Sequence, residues 1–216
     1  MSKRLFIGFP VRIGSSLEAA VKRVKIGADR REIELEWTPL TNYHVTLNFL
    51  GNVAEAQIPE ILEMIERVAN EMAPFETSLR GLGAFPDEHH MRVLWAGVRK
   101  SRAMSSLQSE LEQALLGLGF EPDARDFVPH LTLARTRKSR SGKDLVSPYV
   151  RTSFEDIAVS SIALYESVLH GPRPVYKVVT SFELKNSANT RSEESHEIEH
   201  EIGSSLALDE VAGTSR

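Results

Sequence analysis

Two stretches of this chain repeat one pattern. His44-Val45-Thr46-Leu47 and His130-Leu131-Thr132-Leu133 each run imidazole, apolar, hydroxyl, apolar. Side chains alternate faces along a strand, so His44 and Thr46 share one face while Val45 and Leu47 take the other. His130 and Thr132 stand in the same relation to Leu131 and Leu133. One such strand is an ordinary half-wet strand face. Two of them, in corresponding parts of two similar halves, require a core on one side and an open face on the other, twice over.

The rest of the chain supports that duplication by alternating strands with helices. Leu5 to Phe9 is a short apolar run ended by Pro10 and predicts a strand, followed by a helix capped by Ser15 or Ser16. Glu32 to Trp37 alternates strictly and predicts a second strand. The strand from His44 is expected to run to Leu50 and stop at Gly51-Asn52. Helical spacing then links Ile58, Ile61, Leu62, Ile65, Val68 and Ala69, with Pro59 acceptable in the first turn. Strands about Phe75 to Phe85 and Arg92 to Val98 follow, joined by a turn that carries His89 and His90. A third helix carries Leu107, Leu111, Ala114, Leu115 and Leu118. Pro129 to Arg135 reads as a strand and Arg137 to Lys143 as a basic loop. Two long strands, near Phe154 to Glu166 and Val175 to Leu184, complete a two-lobed unit of residues 1–185. From residue 186 to 216 the chain is rich in Ser, Glu, Ala and Gly, too polar to offset the entropy of ordering it, and disorder is expected.

Composition narrows the chemistry. There are no cysteines among the 216 residues, which excludes disulfides, thiol nucleophiles and cysteine-bound zinc. A net charge of −4 gives no global attraction to nucleic acid, so contact with RNA must rest on a local basic patch. The apolar run near the N-terminus is too short for a signal peptide, and no stretch is long enough to cross a bilayer. The expectation is a cytoplasmic monomer.

Paired imidazoles suit the opening of a cyclic phosphodiester. Water must lose a proton on one side of phosphorus while the departing alkoxide gains one on the other. Imidazole titrates near neutrality, so one copy can be a neutral base and its partner a charged acid. Thr46 and Thr132 lie two residues on, placed to bind the non-bridging oxygens. Strict alternation puts Asn48 beside His44 and Thr46, and Phe49 in the core. It also points Arg135 at the core, where an unpaired guanidinium is seldom found. A strand end or bulge near Ala134 would return Arg135 to the phosphate side. Phe9 and Phe85, at strand ends, are candidates for stacking on a base, and the basic loop for guiding an RNA backbone.

The paired motifs resemble the two signatures of the two-histidine phosphoesterases. Further matches point to the RNA 2′,3′-cyclic phosphodiesterase branch, also called 2′-5′ RNA ligase: Arg4 to Gly8, Trp37-x-Pro39, Asn48 to Gly51, Gly81 to Pro86, Arg92 to Val98, Phe127 to Arg135, and Tyr165-Glu166-Ser167. The resemblance covers about residues 4 to 184. It implies a bilobal α+β fold, with pseudo-twofold lobes whose mainly antiparallel sheets line a central cleft and whose helices lie outside. It implies a hydrolase that opens RNA 2′,3′-cyclic phosphate ends to 2′-phosphate, without metal or other cofactor, and in some members joins RNA ends 2′ to 5′. By the same resemblance His44 is the proton donor, His130 the proton acceptor, and Arg135 a phosphate contact. Asn48 departs from the pattern, which in many members has Lys or Arg there.

Two other readings keep the cleft. One is a cyclic phosphodiesterase acting on small nucleotides such as an ADP-ribose cyclic phosphate. The other is a non-catalytic RNA-end-binding module, which retention of both His-x-Thr pairs argues against. The zinc-protease pattern His196-Glu197-Ile198-Glu199-His200 is a decoy: Leu206 stands where the extended pattern needs a third histidine.

Overall fold

The computed structural model describes residues 1–122, 125–170 and 173–185. The tail from residue 186, with its His196 to His200 pattern, lies outside the described residues. Strands β1 (Ser2–Pro10), β2 (Glu36–Trp37), β3 (His44–Ala54), β4 (Phe75–Phe85), β5 (Met91–Val98), β6 (His130–Arg140), β7 (Ser153–Val159), β8 (Ser161–His170) and β9 (Arg173–Glu183) alternate with helices. These are α1 (Ser15–Asp29), α2 (Ile58–Glu71), α3 (Arg102–Gly117) and the short α4 (Lys143–Val146).

All nine strands belong to one curled, antiparallel sheet in the order β7-β4-β5-β6-β3-β1-β8-β9, with β2 added beside β6. The expected α+β architecture is present, and its two lobes are the halves β9-β8-β1-β3 and β6-β5-β4-β7. They meet at β3 and β6 through one cross-strand pair, Val45 with Leu131. Strand β2, from the first half, adds two pairs to β6 of the second, and helices cross between the halves as well. Helix α1 leaves the first half and packs against β7 and α4 of the second, while α3 leaves the second and packs on β3.

The helices cover the convex face, where the main core forms. Leu17, Ala20, Val21, Val24 and Ala28 of α1 recur at helical spacing and are buried there. Leu5, Ile7 and Phe9 of β1 point into the same core from the sheet. Ser15 and Ser16 do not cap α1, as the sequence suggested. Glu155 of β7 does so from the other half, its carboxylate accepting from Gly14 N at 2.6 Å and Leu17 N at 3.1 Å. A negative charge at a helix N-terminus satisfies free N–H groups and meets the positive end of the dipole.

Four expected elements differ. The strand from His44 does not stop at Gly51-Asn52 but runs on to Ala54, because β1 pairs with it as far as Ser2. Of the strand read over Glu32 to Trp37, only Glu36–Trp37 pairs, with β6. Upstream, Glu32 takes a left-handed conformation (φ 54°) and Ile33 N bonds back to Ala28 O, prolonging the exit from α1. The basic stretch from Arg137 is strand as far as Arg140, because β5 extends to meet it at Met91. The single strand read over Phe154 to Glu166 breaks at Ser160, so β7 pairs with β4 at one edge and β8 with β1 in the other half.

Candidate active site

Val45 and Leu131, the pair at the seam, are fully buried. Their neighbours His44, Thr46, His130 and Thr132 are half-buried on the opposite, concave face. In antiparallel register about Val45 and Leu131, His44 lies across from Thr132 and Thr46 across from His130. A local twofold through the seam therefore brings both His-x-Thr pairs to the floor of one cleft.

Both imidazoles are anchored alike. His44 Nδ1 donates to the Asn42 carbonyl at 2.7 Å, and His130 Nδ1 to the Val128 carbonyl at 2.7 Å. A carbonyl oxygen only accepts, so each Nδ1 carries the hydrogen and each Nε2 is left for proton transfer. Aromatic rings wall each histidine. Around His44 stand Phe6 (centroids 4.8 Å), Tyr165 (5.5 Å) and Tyr176 (4.7 Å, edge-on). Against His130 stand Phe85 (4.9 Å, edge-on) and Trp95 (6.2 Å). The Trp95 ring lies across Gly83, where a Cβ would sit 2.2 Å from it.

Burial lowers both imidazole pKa values by disfavouring the charged form. For His44 the fall is to about 4, burial being the main cause, opposed by the Asn42 carbonyl and reinforced by the charges of His130 and Arg135. His130 is lowered by burial first and by Arg135 as well, and raised by the Val128 carbonyl.

Arg135 reaches the cleft by a bulge. Along β6, Thr132 pairs with Trp95 and Ala134 with Leu94, so Leu133 is the extra residue. Leu133 and Ala134 are both buried, parity flips, and Arg135 emerges on the histidine side, exposed. Strand β3 has the matching bulge at Leu47, where Thr46 pairs with Gly8 and Asn48 with Ile7. This overturns the alternation expected for Asn48 and Phe49. Asn48 turns into the core at 8% exposure, its Oδ1 without a partner among the described residues, and Phe49 emerges at 42%. The departure at Asn48 thus concerns a core position.

Residues 14–170 match the model of the 2′-5′ RNA ligase superfamily. The chain belongs to that superfamily. A curated relative from Aquifex aeolicus, named RNA 2′,3′-cyclic phosphodiesterase, is 32% identical over 185 residues, covering 84% of this chain and 97% of its own. Another of that name, from Methanothermobacter thermautotrophicus, is 30% identical over 187 residues, 85% of this chain and 100% of its own. Among solved structures, TT0787 of Thermus thermophilus superposes with a TM-score of 0.68 at 28% identity, covering 85% of this chain and 99% of that one. E. coli LigT complexed with 3′-AMP shares the fold at a TM-score of 0.64 and 21% identity, over 85% of this chain and 99% of its own.

Within this superfamily member, the sequence-predicted site residues fall into two groups. His44, Thr46, His130, Thr132, Arg135 and Phe85 gather on the cleft face. Phe9 does not: at 1% exposure it belongs to the convex core with Leu5 and Ile7, and its candidacy as a stacking residue is withdrawn. Its parity along β1 was the available signal, since the cleft face of that strand belongs to Phe6 and Gly8. The turn histidines are exposed, held by Asp87, which accepts from both backbone N–H groups. Sequence reasoning missed Phe6, Tyr165, Tyr176 and Trp95. Alternation finds Phe6, but no local pattern brings β8 and β9 beside His44. No helix among the described residues is long and apolar enough to cross a membrane.

Proposed function

We propose that this protein opens the 2′,3′-cyclic phosphate of RNA ends to a 2′-phosphate by acid/base catalysis between His44 and His130. The observation that carries the reading is the twin anchoring of the imidazoles, each fixed by a backbone carbonyl with Nε2 left for the cleft. In the reaction His130 Nε2 takes a proton from water, and the oxygen attacks phosphorus. The bond to the 3′ oxygen breaks opposite, and that oxygen takes its proton from His44 Nε2. Thr46, Thr132 and Arg135 hold the non-bridging oxygens as charge gathers on them. Phe85 offers an aromatic surface for the terminal base beside His130.

In the free cleft His44 is held to about 4, which makes it the harder of the two to protonate. That ordering runs against its role as donor. An anionic phosphate raises both imidazoles, so roles follow from which histidine faces the leaving oxygen in the complex. A ribose 5′-hydroxyl in place of water would give a 2′-5′ bond by the same displacement.

The test is incubation of EDTA-treated protein with a short RNA ending in 2′,3′-cyclic phosphate and, separately, with a cyclic mononucleotide. Turnover of the RNA to a 2′-phosphate is expected. A 3′-phosphate product would exclude the proposed bond cleavage. Preference for the mononucleotide would favour a small-nucleotide enzyme, and turnover of neither would leave a binding module.

A further inference from the structure

The matching bulges set up a comparison that the sequence hides. If His44 corresponds to His130 and the bulge at Leu47 to that at Leu133, Phe49 stands at the twofold position of Arg135. The first half therefore presents an aromatic ring where the second presents a cation. Phe49 pairs across strands with Phe6, so both rings share the concave face, and Phe6 lies 4.8 Å from the His44 ring. Phe49 therefore stands on the same face of the sheet as the histidine, farther along β3.

Phe49 is 42% exposed, which core packing does not require of a phenylalanine. The Arg4 guanidinium lies over its ring, 4.6 Å from the centroid. Arg4 has the same parity on β1 as Phe6 and is exposed. Lys3 and Arg137 pair with Glu166 and Glu36, but Arg4 makes no ion pair among the described residues. A guanidinium already held over an aromatic ring loses less side-chain freedom on binding an anion than a free one does. That is the form of a preset anion contact.

We propose that Arg4, oriented by Phe49, binds a backbone phosphodiester of the RNA upstream of the cyclic end. The proposal rests on the reading of the cleft as an RNA-end phosphodiesterase and deepens it. The cleft then selects for chain length: a nucleoside 2′,3′-cyclic phosphate has no upstream phosphodiester and gains nothing from Arg4, whereas an oligonucleotide does.

The experiment compares kcat/KM for a trinucleotide ending in 2′,3′-cyclic phosphate with kcat/KM for a nucleoside 2′,3′-cyclic phosphate, on the same preparation of each protein. Their ratio cancels differences in active fraction. Arg4→Met is expected to lower the ratio about three- to tenfold, an effect of the size of one exposed charge-assisted contact. Phe49→Leu should lower it less, and Arg4→Lys least. In parallel, equilibrium binding of a 2′-phosphate-ended trinucleotide is measured against salt. Arg4→Met should reduce the log–log slope by about 0.7, the value for one phosphate contact to a single strand. An unchanged ratio, or an unchanged slope, overturns the proposal. If wild type turns over neither compound, the phosphodiesterase reading fails instead, and the subsite stands or falls on the binding slope.

Discussion

Replacing His44 by Gln isolates the cost of placing an ionisable ring among Phe6, Tyr165 and Tyr176. Gln has an amide that can donate to the Asn42 carbonyl but binds no proton. In the unfolded chain His44 takes its proton near 6.5, and in the folded protein near 4. Between those values the unfolded state binds a proton that the native state refuses, so native stability falls as pH drops through that window. Above about 6.5 the contribution is fully present, and below about 4 it has all been lost. At ~1.4 kcal/mol per pKa unit, the shift corresponds to about 3 kcal/mol. Urea unfolding at a series of pH values from about 7 to 4 reads this directly through the linear extrapolation to water. Wild type should lose about 3 kcal/mol more than His44→Gln across the window. His130 and Arg135 act on His44 through their charges, so a fraction of the loss reflects them, and His130→Gln should show a smaller effect of the same sign. Parallel curves for wild type and His44→Gln would refute the reasoning, since the ring would then not be desolvated as its surroundings dictate.

The two histidines titrate as a pair in free enzyme, and kcat/KM should follow a bell whose alkaline limb lies at or below pH ~6.5. The kcat profile should sit higher, because bound phosphate favours both imidazolium forms; coincident profiles would count against that. Arg135→Met removes a charge that lowers both histidines, so the kcat/KM optimum should move to higher pH while its peak falls by about ten- to a hundredfold. An unmoved optimum in the pH–rate profile would place Arg135 away from the rings. Glu155→Ala leaves the first N–H groups of α1 without their carboxylate and should cost about 1–2 kcal/mol in urea unfolding, with the kcat of the remaining folded enzyme unchanged. Gly83→Ala drives a methyl group into the Trp95 ring and should destabilise by about 1–3 kcal/mol, with a shifted Trp emission. Wild-type stability and emission would show that the ring moves aside freely.

Much of the cleft face was legible because it is local. In His44-Val45-Thr46 and His130-Leu131-Thr132 alternation alone separates wet from buried positions, and both strands keep that alternation. It fails one residue later. The bulges at Leu47 and Leu133 depend on hydrogen bonds to β1 and β5, and they reversed the fates of Asn48, Phe49 and Arg135. A bulge changes which face a side chain takes and leaves the residue pattern as it was. The basic stretch after Arg135 misled for a related reason: its charges read as a loop, yet β5 supplies enough pairing to hold it extended.

The chain's order of residues determined by itself which groups are available: two imidazoles, two hydroxyls and an arginine, each beside apolar residues that tie it to a strand. Only the tertiary structure decided that those groups meet. Val45 opposite Leu131, α1 and α3 exchanged between halves, and the aromatic walls from β8 and β9 are contacts between distant segments. The perturbation of His44 belongs to that second class, because desolvation is set by everything packed around a ring and by nothing in its immediate sequence.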